Sequence, residues 1–154
     1  MQQLTRPGIS LELELDPDVR KIQADVDALE QLLINLVANA CEAMPDGGVL
    51  HVRTENTRLG GGQTERQDLP PGWYVSLVVA DTGRGMPPET IKRIFEPFYS
   101  RKISGKGTGL GLTIVRRIVE HLHGHVRVDS TPGRGTTFRI CFPAVEEPAH
   151  QAAG

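Results

Sequence analysis

Apolar and polar residues alternate with a period of two along several short stretches, which is typical of half-buried β-strands. The stretches "SLELEL" (residues 10–15), "GVLHVRTE" and "GHVRVDS" follow this pattern. Two others, "WYVSLVVAD" and "GTTFRICF", are denser in β-branched and aromatic residues. That composition favours strands nearer the middle of a sheet.

Two longer segments carry apolar residues at helical spacing. The first is predicted to run from Val26 to Met44, with Asp27 and Glu30 as a capping box. The second is predicted to run from Gly109 to Gly124, and a short third helix is expected at "PPETIKRIF". Strands and helices alternate irregularly, and two adjacent strands end the chain. This order favours an α+β fold, with a mixed sheet covered on one face by helices, over a doubly wound parallel sheet.

Two polar, glycine-rich segments are predicted to be loops. Residues 56–72 would connect two strands, whereas residues 98–108, "FYSRKISGKGT", are basic and form a candidate lid before the second long helix. We expect residues 1–145 to form one domain and residues 146–154 a flexible tail.

Composition narrows the classes of partner. The chain has 154 residues, a formal net charge of -2 and an isoelectric point near 6.2, so no overall basic field favours nucleic acid. No apolar run has the length of a membrane span, and the N-terminus lacks the order of a signal peptide. We expect a cytoplasmic domain without membrane contact of its own, even if its parent carries an anchor. Cys41 and Cys141 lie in apolar patterns, which indicates buried thiols.

Four glycines alternate in "SGKGTGLGLTIV" (residues 104–115). The spacing matches neither a P-loop nor a dinucleotide-binding turn. It fits a helix whose first turn is lined by glycine, so that unpaired amides and the positive end of the dipole face an anion. A plain loop followed by a closely packed helix is the alternative.

A polar stripe is predicted on the first helix, opposite its apolar face. Gln31, Asn35, Asn39 and Glu42 fall within roughly 80° of one another around the helix axis. A solvated face is one interpretation, although asparagine is a poor helix former. Since amide oxygens are suitable ligands for Mg²⁺, the other is a metal site at Asn39 or Asn35.

An aspartate ends a predicted strand in "VVADTGRGM". The carboxylate of Asp81 can only accept hydrogen bonds, so it would favour the amino group of adenine over the oxygen of guanine. The glycines that follow it would let a flat ligand pass the backbone. The alternative is a turn or capping aspartate.

Five motifs resemble the catalytic, ATP-binding domain of bacterial sensor histidine kinases, in the superfamily that also contains gyrase, a heat-shock chaperone and mismatch-repair ATPases. They are "NLVANACEAM" (35–44), "DTGRGM" (81–86), "IFEPFYS" (94–100), "GKGTGLGL" (105–112) and "GRGTTFRICFP" (133–143). The resemblance covers residues 11–143. It implies a two-layer α/β sandwich with a mixed, mostly antiparallel sheet, in which ATP lies between the helices and a mobile lid.

The same resemblance implies the roles of individual residues. Asn39 matches the asparagine that coordinates Mg²⁺, Asn35 matches its companion near the phosphates, and Asp81 matches the residue that bonds adenine. The resemblance completes the base pocket with Gly83, Gly85 and Thr136.

Further positions match the lid and the phosphate turn. Phe95 and Phe98 match the hydrophobic anchors of the lid, and Lys102 occupies the place of a lid lysine that contacts the γ-phosphate. The turn that faces the phosphates is matched by Gly107, Gly109, Leu110 and Gly111.

Two departures from the superfamily's patterns separate its branches. Hydrolysing members carry a glutamate where this chain has Asn35, so water attack should be slow and the γ-phosphoryl group preserved. Many histidine kinases carry a lysine where this chain has Glu42, so no phosphate-binding role transfers to that position.

The resemblance therefore implies a histidine kinase domain that binds Mg-ATP. It would donate the γ-phosphoryl group to a histidine on the dimerisation hairpin of its parent, upstream of a response regulator. None of the five histidines here has the setting of that acceptor. The alternatives are a nucleotide-binding module without transfer activity and a serine kinase of the anti-sigma type.

Overall fold

The protein is described by a computed structural model that covers residues 7–60, 69–99 and 110–145. Within these residues, five strands and three helices follow one another in the order β1 (Ile9–Leu15), α1 (Val26–Ala43), β2 (Gly48–Leu59), β3 (Gly72–Asp81), α2 (Pro88–Ile91), α3 (Gly111–His121), β4 (His125–Thr131) and β5 (Gly135–Pro143). Among the helices described, none is long and apolar enough to cross a membrane.

The strands form one mixed sheet in the order β1-β2-β3-β5-β4. β1 pairs with β2 in parallel, and every other neighbouring pair is antiparallel. The predicted α+β class with a mixed, mostly antiparallel sheet is therefore confirmed. The register places Asp81, the last residue of β3, between Leu50 of β2 and Thr136 of β5.

The two long helices pack against one face of the sheet. Leu36 and Val37 of α1 are almost fully buried, as are Val115 of α3 and Phe138 of β5. Burying one such apolar side chain contributes about 1.5–3 kcal/mol, so this layer holds both helices in place over the sheet. Cys41 and Cys141 are buried and form no disulfide, as predicted.

Helix α1 begins at Val26, as its apolar period predicts, but its cap differs from the predicted one. Asp25 has extended backbone angles, and its carboxylate accepts the backbone N–H of Asp27 at 3.1 Å. The predicted capping box of Asp27 and Glu30 is therefore wrong, because Asp25 is the N-cap. Positions 25 and 27 both carry an aspartate, and only the backbone conformation shows which of them is the N-cap.

Helix α3 ends in a Schellman motif. The N–H of Gly124 donates to the carbonyl of Val119 at 2.9 Å, and the N–H of His123 donates to that of Glu120 at 3.1 Å. His123 has a φ of 59° and occupies the left-handed position that usually carries glycine. The helix therefore stops at His121, three residues before the predicted end at Gly124.

Two predictions about the strands need correction. β2 continues to Leu59, so residues 56–59 are not loop, because Asn56 and its neighbours pair with β3. β1 is more exposed than predicted, since Leu13 and Leu15 keep 48% and 55% of their surface in contact with solvent. As an edge strand, β1 has only one neighbour to cover it.

The predicted short third helix is present as α2, with Pro87 at its N-cap and Pro88 in its first turn. Most of the predicted candidate lid, at residues 100–108, lies outside the described residues, as do the centre of the other predicted loop and the predicted tail at 146–154.

Candidate nucleotide site

Asp81 lies at the end of the central strand β3 and is 8% exposed. Its Oδ1 atom accepts the backbone N–H of Gly83 at 2.8 Å and that of Thr136 at 3.3 Å. Among the described residues its Oδ2 atom has no hydrogen-bond partner, and it is not sealed from solvent. One carboxylate oxygen thus holds the backbone while the other remains an acceptor for a ligand.

Burial raises the pKa of the Asp81 carboxyl above its usual range, and the hydrogen bonds from Gly83 and Thr136 lower it only in part. Burial removes water that would stabilise the charged form. A ligand N–H group would replace some of that lost hydration. The site is therefore suited to a neutral donor, such as an exocyclic amino group.

The turn after Asp81 requires glycine at two positions. A Cβ atom on Gly83 would lie 2.5 Å from the carbonyl oxygen of Ala43 at the end of α1. Gly85 has a φ of 69°, and a Cβ there would overlap the carbonyl oxygen of Thr131. Both glycines let the turn fit between α1 and the β4–β5 hairpin.

Hydrogen bonds fix this turn from both sides. The N–H of Arg84 donates to the carbonyl of Ala43 at 3.1 Å, and the N–H of Gly133 donates to the carbonyl of Arg84 at 2.6 Å. The turn is therefore tied to the end of α1 and to the β4–β5 hairpin before any ligand binds.

Ser130 is a site residue that the sequence analysis missed. Its hydroxyl accepts the N–H of Met86 at 2.8 Å, donates to the carbonyl of Gly135 at 3.1 Å and lies 2.7 Å from the Thr136 hydroxyl. Since a hydroxyl donates only one hydrogen bond, Thr136 donates to Ser130. Ser130 thereby connects the turn that follows Asp81 to Thr136. No local sequence signal marks it, because Met86 is 44 residues away.

Asn35 and Asn39 lie one turn apart on α1, and both side chains are half-buried. The Gln31 amide donates to Oδ1 of Asn35 at 3.3 Å. The Nδ2 atom of Asn35 is buried and has no hydrogen-bond partner among the described residues. A buried amide donor without a partner is costly, so this group is suited to an anionic acceptor such as a phosphate oxygen.

The side chain of Asn39 makes no hydrogen bond to another described residue, and it offers an amide oxygen on the same face of α1 as Asn35. Oxygen donors that leave room for water and phosphate ligands fit Mg²⁺. The predicted assignment of Asn39 to a metal is therefore chemically consistent with its surroundings.

Helix α3 brings its first turn against Asn35. An ideal Cβ on Gly111 would lie 3.9 Å from Oδ1 of Asn35. No side chain of the described residues caps the first turn, so the N–H groups of Gly111, Leu112 and Thr113 are available to an anion. Gly107, Gly109 and Lys102 lie outside the described residues, and their predicted roles stay predictions.

The two predicted lid anchors have different surroundings. Phe95 is partly buried against the core, and its carbonyl accepts the hydroxyl of Thr113 at 3.0 Å. Phe98 is 48% exposed and has a φ of 69°. The structure thus joins Phe95 to α3 and leaves Phe98 at the surface.

The site has two ends that α1 holds at a fixed separation. Gly83 lies against Ala43 at the C-terminal end of α1, whereas Gly111 lies against Asn35. At about 1.5 Å per residue, these two positions are about 12 Å apart along the helix, and Asn39 is midway between them. This separation is comparable to that between the base and the terminal phosphate of a nucleoside triphosphate.

Comparison with known proteins defines the class. Residues 24–146 match the family described as Histidine kinase-, DNA gyrase B-, and HSP90-like ATPase. The chain belongs to this family. The resemblance to the ATP-binding catalytic domain of a histidine kinase is confirmed.

Particular relatives are sensor kinases. The chain is 41% identical over 143 residues to sensor kinase CckA of Brucella abortus, covering 91% of this chain and 15% of that protein. It is 38% identical over 136 residues to sporulation kinase A of Bacillus subtilis, covering 88% of this chain and 20% of that protein. The chain therefore spans well under a third of the length of these relatives.

Solved structures show the same fold. The mycobacterial sensor histidine kinase MprB matches with a TM-score of 0.70 and 29% identity, covering 92% of this chain and 86% of that one. The full-length structure of ShkA in complex with AMPPNP matches with a TM-score of 0.70 and 30% identity, covering 92% of this chain and 27% of that one.

Proposed function

We propose that this domain binds Mg-ATP and donates the γ-phosphoryl group to a histidine on the dimerisation hairpin of its parent sensor kinase. The observation that carries this proposal is the pairing of two recognition sites along α1. Asp81 offers an unpaired carboxylate oxygen at one end, and the first turn of α3 lies against Asn35 at the other.

In this mechanism Asp81 accepts the adenine amino group, and Thr136 with the Gly83–Met86 turn shapes the surrounding pocket. The Asn35 amide and the first-turn amides of α3, which include Gly111, would bind phosphate oxygens. Mg²⁺ held by the Asn39 oxygen would neutralise charge on the phosphates. The chain thus contributes mainly position and electrostatic stabilisation, which are the main requirements of phosphoryl transfer.

The side chain at position 35 favours transfer over hydrolysis. An amide cannot take a proton from water as a carboxylate can, so Asn35 does not supply a general base. Its buried Nδ2 donor is suited to holding a phosphate instead. The γ-phosphoryl group would then persist until the acceptor histidine is in line with it.

The proposal extends to partners and location. The acceptor histidine belongs to a hairpin outside the 154 residues, and a response regulator would receive the phosphoryl group next. We infer a cytoplasmic location for the domain, without membrane contact of its own.

Transfer is tested by mixing the chain with the histidine-bearing hairpin of its parent and ATP labelled at the γ-phosphate. We expect acid-labile phosphate on the hairpin, and none when its histidine is replaced by glutamine. Acid-stable phosphate on a serine would instead identify an anti-sigma type kinase. Binding of ATP without any transfer to a folded hairpin would identify a nucleotide-binding module.

A further inference from the structure

A second groove lies at the end of the sheet remote from Asp81. Trp73, near the start of β3, is eight residues from Asp81, which corresponds to about 27 Å along the strand. The groove has a volume of about 420 Å³. It is lined by two arginines, by His123, by Trp73 and Tyr74, and by small or apolar residues that include Pro71, Pro143 and Val145.

Hydrogen bonds between separate chain segments build this groove. Asn56 of β2 accepts the N–H of Arg20 at 2.8 Å and donates to the carbonyl of Asp18 at 3.1 Å, which fixes the segment after β1. The N–H of Ala144 donates to the carbonyl of Trp73 at 2.9 Å, and the N–H of Val145 donates to that of Lys21 at 2.7 Å. The groove is therefore part of the folded domain.

Two cationic groups flank the indole ring of Trp73. The guanidinium carbon of Arg20 lies 4.2 Å from the ring centroid, and that of Arg58, the cross-strand partner of Trp73, lies 5.6 Å from it. Stacking on an aromatic ring orients a guanidinium while leaving its N–H donors at the ring edge available.

Neither of these guanidinium groups forms an ion pair with a carboxylate in the described part of the chain. Five other arginines of these residues do, namely Arg53, Arg93, Arg116, Arg127 and Arg139, whereas Arg84, Arg117 and Arg134 also lack a carboxylate partner there. What distinguishes these two guanidinium groups is that both stack on one indole ring beside an apolar wall. They complement a ligand that carries both carboxylates and apolar side chains.

We propose that this groove binds an acidic segment of a partner protein, with its carboxylates paired to Arg20 and Arg58 and an apolar side chain packed against Pro71 and Val145. A small inorganic anion would leave the apolar wall unused. The phosphates of nucleic acid would likewise leave that wall unused, and the net charge of -2 gives the domain no general attraction for polyanions or anionic membranes.

Trp73 is the only tryptophan of the chain, so its fluorescence reports on this groove. The probe is a short peptide of alternating glutamate and leucine, titrated into the full chain. We expect a saturable change in Trp73 emission, with an affinity for the peptide that falls as salt is added. A peptide of alternating glutamine and leucine should cause no change in emission. Anisotropy of a labelled peptide measures the same binding without relying on Trp73.

The variant Arg58→Gln should weaken peptide binding about tenfold, since it removes one charge-assisted contact. Arg117→Gln, at an exposed position of α3 without an ion pair among the described residues, is the matched control and should bind as the wild type does. ATP affinity should be unchanged in both variants, which shows that each has folded. Equal peptide affinity in both variants would overturn the proposal.

The sequence places Glu146 and Glu147 directly after Val145, so both titrations are repeated in a Glu146→Gln/Glu147→Gln variant that lacks these two charges. Binding of the glutamate–leucine peptide in that background, again lost with Arg58→Gln, supports the proposal. Absence of binding in both backgrounds overturns it. A stronger response to inorganic phosphate or to phosphatidylserine vesicles than to the peptide also overturns it.

Discussion

Replacing Asp81 by asparagine tests adenine recognition directly, because the side chain keeps its shape. One carboxylate oxygen remains an acceptor, and the other is replaced by an NH₂ donor. The amide oxygen of Asp81→Asn can still accept the N–H groups of Gly83 and Thr136. The second position becomes an NH₂ donor in place of the open acceptor. If the amide turned over, it would leave those two backbone donors unpaired, so the first orientation is favoured.

The cost to ATP binding follows from this geometry. A hydrogen bond to a charged group contributes about 1.5–3 kcal/mol, which corresponds to about 10- to 150-fold in affinity. In Asp81→Asn the new NH₂ group faces the adenine amino group, so two donors oppose each other. Inosine triphosphate carries an acceptor oxygen at that position, and its affinity should rise.

The assay is isothermal titration calorimetry with ATP, inosine triphosphate and purine riboside triphosphate, which lacks the amino group. Purine riboside triphosphate should bind wild type and Asp81→Asn with similar affinity. Asp129→Asn, at an exposed position of the edge strand β4, is the matched control and should leave all three affinities unchanged. If Asp81→Asn weakens ATP and purine riboside triphosphate equally, the variant has damaged the pocket and the reasoning is refuted.

Four further predictions concern the site and its scaffold. Because burial raises the pKa of Asp81, the native state holds the carboxyl proton more tightly than the unfolded chain does. As the pH rises from about 3.8 through the raised pKa, the free energy of unfolding of the wild type should therefore fall relative to that of Asp81→Asn. Urea titrations at several pH values measure this difference, and a constant difference would contradict the prediction. Asn39→Ala should abolish the dependence of ATP affinity on Mg²⁺ in calorimetry, whereas unchanged dependence would exclude the metal role. Gly85→Ala should lower the free energy of unfolding by about 1–3 kcal/mol more than Gly133→Ala, because both have positive φ but only Gly85 adjoins a carbonyl; equal losses would refute the contact. His123→Gly should raise the free energy of unfolding by about 0.5–1 kcal/mol, because glycine adopts the left-handed φ of this position without strain. Thermal denaturation measures the change, and a lower melting temperature would contradict the prediction.

The sequence alone predicts those parts of the site that depend on local patterns. The position of α1 follows from its apolar period, and the helix then places Asn35 and Asn39 on one face. Asp81 is predicted because an apolar strand ends in an acidic residue and a glycine turn. Each of these features needs only neighbouring residues to be seen.

Features that depend on register or on distant contacts could not be predicted. The hydroxyl of Ser130 in β4 accepts the N–H of Met86, which lies in the segment between β3 and α2, and no local pattern connects the two. The cap of α1 was missed because Asp25 and Asp27 are chemically equivalent, and only the backbone conformation distinguishes them. The groove around Trp73 likewise exists only because pairing of β2 with β3 brings Arg58 beside the indole.

The two ends of the proposed nucleotide site are supported by different structural elements. Asp81 is fixed by the register of three strands, and its turn is held by the carbonyl of Ala43 and the hydroxyl of Ser130. The phosphate end depends instead on helix α3, which lies against Asn35. A shift of α3 could therefore change phosphate contacts while the base pocket stays intact. In the proposed site, adenine recognition and phosphate positioning are thus physically separable, and α1 fixes only the distance between Ala43, beside the Asp81 turn, and Asn35.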